Sequence, residues 1–230
     1  MKKSHDTYLR KLITLCIIIT ILACNTKKNY NTFFKNPILY ADVVHELNTV
    51  VMGNNFSPIV ASRNYLYANI AAYEIIAAGN PGQYNSLAHQ LRGLTYLPKP
   101  VAGKKINFEF ASLMAFCTLG ESVTFPEGSM ATYVDSLKGL AKEHGIPIEV
   151  FQNSLLYADT VSKIIMQWSK KDNYLQVKGM SEYSIDMDDP SRWVPTPPAY
   201  ASAMEPHWNM MRPLLLDSAN QFFTTSSIEV

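Results

Sequence analysis

Cysteine is nearly missing: the 230 residues hold three, Cys16, Cys24 and Cys117, with no Cys-x-x-Cys pairing. A disulfide framework and a thiolate metal site are therefore both unsupported, and the fold must rest on its core. Charge is sparse at 17%, and the net charge is only +1. Four of the basic residues, Lys2, Lys3, Arg10 and Lys11, stand in the first 23 positions against Asp6 alone. The rest of the chain carries two more acidic than basic side chains, so nothing in the balance suggests an electrostatic grip on nucleic acid. Glycine is low at 10 residues, and no run of alternating hydrophobics is long enough to read as a strand. Alanine, leucine, isoleucine and methionine are plentiful, so the balance favours helices. With 47% hydrophobic residues the chain can bury one good-sized core or two small ones.

The first 23 residues read as an address. Basic residues precede an apolar run from Leu12 to Ala23, which is too short to span a bilayer comfortably and has the length of a signal-peptide core. It ends Ile21-Leu22-Ala23-Cys24, followed by polar Asn25-Thr26-Lys27-Lys28. A small residue directly before cysteine resembles a bacterial lipobox, with Ile21 where leucine is usual. Cys24 is then the lipidation site, and the mature protein is held to a bacterial membrane in the cell envelope. Ordinary cleavage with Cys24 free, or an uncleaved anchor, are the alternatives. Residues 24–36 are polar and read as a tether, leaving 37–230 as a helical domain.

Pro37 stands where helices accept proline, and Leu39, Val43, Leu47 and Val50/Val51 follow at helical spacing to a break at Gly53-Asn54-Asn55. Ser57-Pro58 caps and opens a second helix that runs to Gly79-Asn80-Pro81-Gly82. A weaker helix is expected over Ser86–Gly93, then a loop with Pro98 and Pro100. Asn107 to about Thr124 reads as a mostly buried helix. Pro126 is expected to open another, ending at Glu143-His144-Gly145. Pro147 opens a long one, striped by Phe151, Leu155, Ala158, Val161, Ile165 and Trp168. A short helix over Leu214–Phe222 is expected to close the chain. Between Asp172 and Pro213 five prolines forbid a continuous helix. Trp193, Tyr200 and Trp208 fall in this stretch, so it is expected to wrap the helices as ordered structure. The fold class is all-α, a helical bundle with a proline/tryptophan-rich wrapping segment.

That last segment is the most distinctive in the chain. It reads Trp193-Val194-Pro195-Thr196-Pro197-Pro198, then Glu205-Pro206-His207-Trp208, then Arg212-Pro213-Leu214. It resembles the bacterial vanadium-dependent haloperoxidase and type 2 phosphatidic acid phosphatase family, in which W-x-P-T-P-P leads to E-P-x-W and R-P-F. Residues 37–222 resemble the helical N-terminal half of that family. The resemblance implies a complete member that hydrolyses phosphate esters or, with vanadate, oxidises halide using peroxide. It also implies an oxyanion site of lysine and two arginines, with one histidine as nucleophile or vanadium ligand and another moving protons.

The family's catalytic signature has three pieces: Lys-x6-Arg-Pro, Pro-Ser-Gly-His and Ser-Arg-x5-His-x3-Asp. Arg212-Pro213 is the lone Arg-Pro here, and Glu205 holds the position seven residues before Arg212, where lysine belongs. Pro-Ser-Gly-His is absent. Ser62-Arg63 and Ser191-Arg192 are the two Ser-Arg pairs, with Asn69 and Pro198 where histidine is needed. No catalytic residue is therefore assigned. Vanadate or phosphate belongs to a full-length member, and the chain is expected to lack the catalytic half, as a fragment or by loss. The missing half is a candidate partner. The rival reading is a non-enzymatic α-helical surface lipoprotein, a binding or assembly module.

Other candidates are weaker. The five histidines, His5, His45, His89, His144 and His207, have no metal-ligand spacing, and His45-Glu46 reads as a helix surface. Asp186-Met187-Asp188-Asp189 lacks the glycine and glutamate of a calcium loop and reads as acidic surface. Cys117 lies in an apolar stretch without a flanking base and reads as an inert buried thiol. Tyr65, Tyr67 and Tyr73 read as packing. Trp193, Trp208 and Arg212 could line a ligand site, but mutual packing of tryptophan, proline and arginine is the favoured reading.

Overall fold

The structure is a computed structural model that describes residues 28–222. The expected signal peptide, 1–23, and Cys24 lie outside the described residues. Within them there are seven α-helices, one 3-10 turn and no strand. These are α1 (Tyr30–Phe34), α2 (Ile38–Gly53), α3 (Pro58–Gly79), α4 (Phe108–Ser122), α5 (Ala131–Glu143), α6 (Ile148–Ser169) and α7 (Tyr174–Lys178). The 3-10 turn is Trp208–Met210.

The most buried helix takes the middle. Ten of the 15 residues of α4 are buried, including Phe110, Phe116 and Leu119 on different faces. A helix hydrophobic all round must be covered on every side, and α2, α3, α5 and α6 all pack against α4. The approach is close where glycine removes a side chain. A Cβ on Gly120 would lie 2.9 Å from Leu47 Cδ1, and one on Gly79 would lie 2.4 Å from Phe108 Cγ. No helix of the described residues is long and apolar enough to cross a membrane.

The expected starts are realised in side-chain chemistry. Ser57 Oγ accepts from the Val60 N–H at 3.3 Å, and Asn107 Oδ1 accepts from the Phe110 N–H at 2.7 Å. Each satisfies one orphan donor of a first turn. Four elements differ from expectation. Over 86–93 the chain makes turns, because Glu74 takes the Ser86 hydroxyl and the Leu87 N–H, and His89 adopts φ 67°. After Pro126, Gly128 at φ 83° diverts the backbone, so α5 begins only at Ala131. Over 214–222 there are turns instead of a helix. The Leu214 and Asp217 carbonyls point to Arg92, accepting from its N–H at 2.9 Å and its Nη1 at 2.7 Å.

The fourth difference is at the tether. From Asn29 onward it is folded. Phe34 is buried, Phe33 stacks on His144 at 3.8 Å, and Lys28 pairs with Glu143. Phe34 buried in the core and Phe33 half-buried on His144 outweigh the polar composition of the residues around them.

Candidate functional site

The proline/tryptophan segment is tied to the bundle around Asp172 and Arg212. Asp172, 2% exposed, follows the end of α6. Its Oδ2 accepts from Arg63 Nε at 2.6 Å and from the Tyr67 hydroxyl at 2.8 Å, and its Oδ1 accepts from the Tyr174 N–H at 3.0 Å. Arg63 and Tyr67 lie one turn apart on α3, a spacing that puts both on one face. The segment closes beside this carboxylate through Arg212, which reaches the Asp172 backbone and the Tyr67 hydroxyl. The Arg212 N–H donates to the Asp172 carbonyl at 3.0 Å, Nη1 donates to the Trp168 carbonyl at 2.9 Å, and Nη2 donates to the Tyr67 hydroxyl at 3.2 Å. Its guanidinium lies 4.3 Å from the centre of the Trp168 ring. Such a flat cation over an indole is a strong contact when partly desolvated. Burial, helped by the Asp172 charge, pushes the Tyr67 hydroxyl well above the ordinary tyrosine range.

Beyond that clasp the segment stands off the core. No residue from Gly179 to Phe222 is buried. Trp208 is half-buried and meets the Tyr174 ring edge-on at 6.4 Å. Trp193 is 47% exposed and pairs with Tyr183, not with the bundle, and Tyr200 is 63% exposed. The expected wrap is thus local. Arg212 packs on Trp168 of α6, not on Trp193 or Trp208. Pro213 follows the clasp directly and is half-buried. Pro195, Glu205 and Pro206, together with Trp193 and Tyr200, line a cleft of about 470 Å³ against α7. Glu205 is held there by Lys178 at 2.8 Å. Pro197 and Pro198 lie outside that cleft, exposed and joined by a cis peptide.

Vanadate and phosphate are oxyanions and need several converging cationic donors. The described residues do not fit them. Arg63 is engaged by Asp172, Arg92 pairs with Asp217, and Arg212 spends both Nη groups on Trp168 and Tyr67. Arg212 Nε is buried without a partner, but a single donor is not a cradle. No group of three His, Cys, Asp or Glu side chains converges among the described residues. His45 and His89 are exposed, His144 stacks on Phe33, and His207 Nε2 lies 2.8 Å from the Ser181 carbonyl. Cys117 is fully buried and its thiol is pushed up to about 12 by burial, so it is not nucleophilic at neutral pH.

A second cleft, about 680 Å³, opens beside the end of α3, with Glu74 on its wall. Glu74 is 4% exposed. Burial raises its carboxyl, against the lowering effect of the Leu87 N–H and the Ser86 hydroxyl.

Sequence reasoning placed Arg212 in a motif but missed its partners. Tyr67, Trp168 and Asp172 are 145, 44 and 40 positions away in sequence. A lone arginine in the apolar run of α3 was the available signal, since such a cation needs a buried acid.

No family model matches the chain, and no curated protein matches it. A solved structure does. It is the crystal structure of a bacterial vanadium-dependent iodoperoxidase, 43% identical, with a TM-score of 0.74. The similarity covers 81% of this chain but 44% of that one. At this identity and coverage, shared helices and shared sequence point the same way: the chain belongs to the vanadium haloperoxidase superfamily, spanning less than half the length of the solved member it matches.

Proposed function

We propose that residues 37–222 are the helical N-terminal portion of a vanadium haloperoxidase or acid phosphatase-like lipoprotein, and that they supply scaffold and not chemistry. The carrying observation is the unequal coverage, 81% of this chain against 44% of the iodoperoxidase. It is supported by the sequence, which holds none of the three signature pieces, and by arginines already committed to Asp172, Asp217, Trp168 and Tyr67. Losing one preorganised donor from an oxyanion site commonly costs about 10²–10³ in rate, so a chain without the set should be inert. The purified chain is expected to show no hydrolysis of p-nitrophenyl phosphate. It should also show no oxidation of iodide or bromide with vanadate and peroxide. Turnover clearly above a buffer control refutes the reading.

The address is the second part of the proposal. Ala23-Cys24 after the apolar run supports export and diacylation of Cys24, with the protein lipid-anchored in the cell envelope on the periplasmic or surface face of a bacterial membrane. Cys24→Ala should release the protein from the membrane fraction or leave an unprocessed precursor. Equal incorporation of labelled palmitate by wild type and variant sinks it.

A further inference from the structure

We infer that the cleft beside the end of α3 is a binding site for a small organic ammonium ion with an aromatic body, its charge taken by Glu74. The site lies on the bundle itself and does not depend on the proposed function. Two carboxylates are buried among the described residues, Asp172 at 2% and Glu74 at 4% exposed. Asp172 has a cation, Arg63 Nε at 2.6 Å. Glu74 has none: among the described residues no lysine, arginine or histidine nitrogen lies within 4.0 Å of its carboxylate.

The partners of Glu74 are neutral. The Leu87 N–H donates to Oε1 at 2.6 Å and the Ser86 hydroxyl donates to Oε2 at 2.8 Å. An ionised carboxylate offers about four lone-pair sites, so about two stay open and the charge stays uncompensated. Buried glutamates are almost always paired, because desolvating a lone charge is expensive. Anchoring the turn at Ser86 and Leu87 needs hydrogen bonds but no charge. A glutamine would accept from the Leu87 N–H and donate to the Ser86 oxygen. The charge is the part that the fold leaves without a use.

The cleft wall selects what carries the counter-charge. Its volume of about 680 Å³ falls in the range of small-molecule sites, about 300–1,000 Å³. Tyr84, Phe108 and Tyr157 line it together with Glu74. These rings are braced. Phe108 meets the Tyr157 ring edge-on at 6.1 Å, and Tyr84 meets the Tyr73 ring edge-on at 6.4 Å. The Tyr157 hydroxyl donates to the Pro98 carbonyl at 3.0 Å, which leaves its oxygen as an acceptor. Burial, and then the Glu74 charge, push that hydroxyl up to about 12, so a neutral phenol stands near the carboxylate. Aromatic faces attract organic cations, and a carboxylate among them adds a charge-assisted hydrogen bond. Lys99 also lines the cleft, but it is exposed and beyond ion-pair distance of Glu74, so its ammonium is served by water.

The test is calorimetric titration of the 230-residue chain at neutral pH with phenethylammonium chloride, against its uncharged analogue 2-phenylethanol. Phenethylammonium should bind with a Kd below about 1 mM. The alcohol should bind at least about tenfold more weakly, the worth of one charge-assisted hydrogen bond. Glu74→Gln should bring the two ligands to within about twofold of each other. Equal binding of both by the wild type, or no saturable binding of phenethylammonium, overturns the inference. Undiminished binding of phenethylammonium by Glu74→Gln places the cation elsewhere and overturns it too. Tighter binding of Nα-acetyl-lysine amide than of phenethylammonium would assign the cleft to a lysine of another polypeptide, and the small ligand would be wrong.

Two further measurements stand if Glu74→Gln does not fold. Ala78 lines the cleft and takes no part in the Glu74 hydrogen bonds. Ala78→Phe should fill the space and weaken phenethylammonium at least about tenfold, the loss expected when a bound ring is displaced. In the wild type, the NMR signals of Tyr84 and Tyr157 should shift on titration, while those of Trp193, in the other cleft, stay fixed. Full affinity in Ala78→Phe, or shifts at Trp193 without shifts at Tyr157, overturns the inference.

Discussion

Asp172 is the residue on which most of the C-terminal geometry depends. Its carboxylate neutralises Arg63, whose side chain is 10% exposed, and its carbonyl receives Arg212. Removing one member of a buried pair leaves the other charged without compensation, at a cost of about 3–5 kcal/mol. Asp172→Ala should lower stability by that order in urea titration, and Arg63→Ala by less, because Asp172 keeps the Tyr67 hydroxyl and the Tyr174 N–H. Equal, near-zero effects would show that the pair is solvated. Glu74 makes the opposite kind of prediction. Its carboxyl is raised by burial, so between the unfolded and folded values the folded chain holds the extra proton. Its contribution is then fully present below the ordinary carboxylate value and is lost as pH rises through the raised one. Stability should decline across the window just above pH 4.5, and Glu74→Gln should flatten that part of the pH profile.

Among elements, the helices were legible in sequence wherever local chemistry ends them. Ser57-Pro58, Gly79-Asn80, Asn107 and Pro147 each act within one turn of the residue they specify, so their boundaries appear where the letters suggest. The misplaced elements share a different cause. The turns at 86–93 and 214–222 are dictated by Glu74 and Arg92, distant in sequence, and α1 forms because Phe33 finds His144. No local pattern carries that information. The candidate site was legible in part: the tryptophans and Arg212 stood out, whereas Asp172, whose carboxylate holds Arg63 and Tyr67 beside Arg212, did not. The same division separates the two tryptophans of the segment. Trp208, half-buried against Tyr174, should lose about 1–2 kcal/mol on change to alanine. Trp193→Ala should fall within about 0.5 kcal/mol, as for other exposed positions. Chemical denaturation of both variants checks the order, and a larger loss at Trp193 would reverse the assignment.

For the whole molecule, the superfamily relationship and the absence of an oxyanion cradle among the described residues meet in one measurement. A ligand that binds only the native state at about 100 times its Kd adds about 2.7 kcal/mol of stability, several degrees in a chain of this size. Orthovanadate or phosphate at millimolar concentration should leave the thermal midpoint unchanged. A dose-dependent rise would reveal an anion site formed by this chain.

The contact between Phe33 and His144, with Lys28 on Glu143, sets how the molecule would stand on a membrane. Folded structure reaches back to Asn29, so four peptide units separate Cys24 from Lys28. At about 3.6 Å per residue their span is at most about 14 Å, short beside a bundle built on 22-residue helices of about 33 Å. With a lipid on Cys24, the turn between α5 and α6 is moored beside the headgroups, and the rest of the bundle cannot tumble freely above them. Under that condition the leash would keep one end of the bundle near the lipid and leave the opposite end facing away from it.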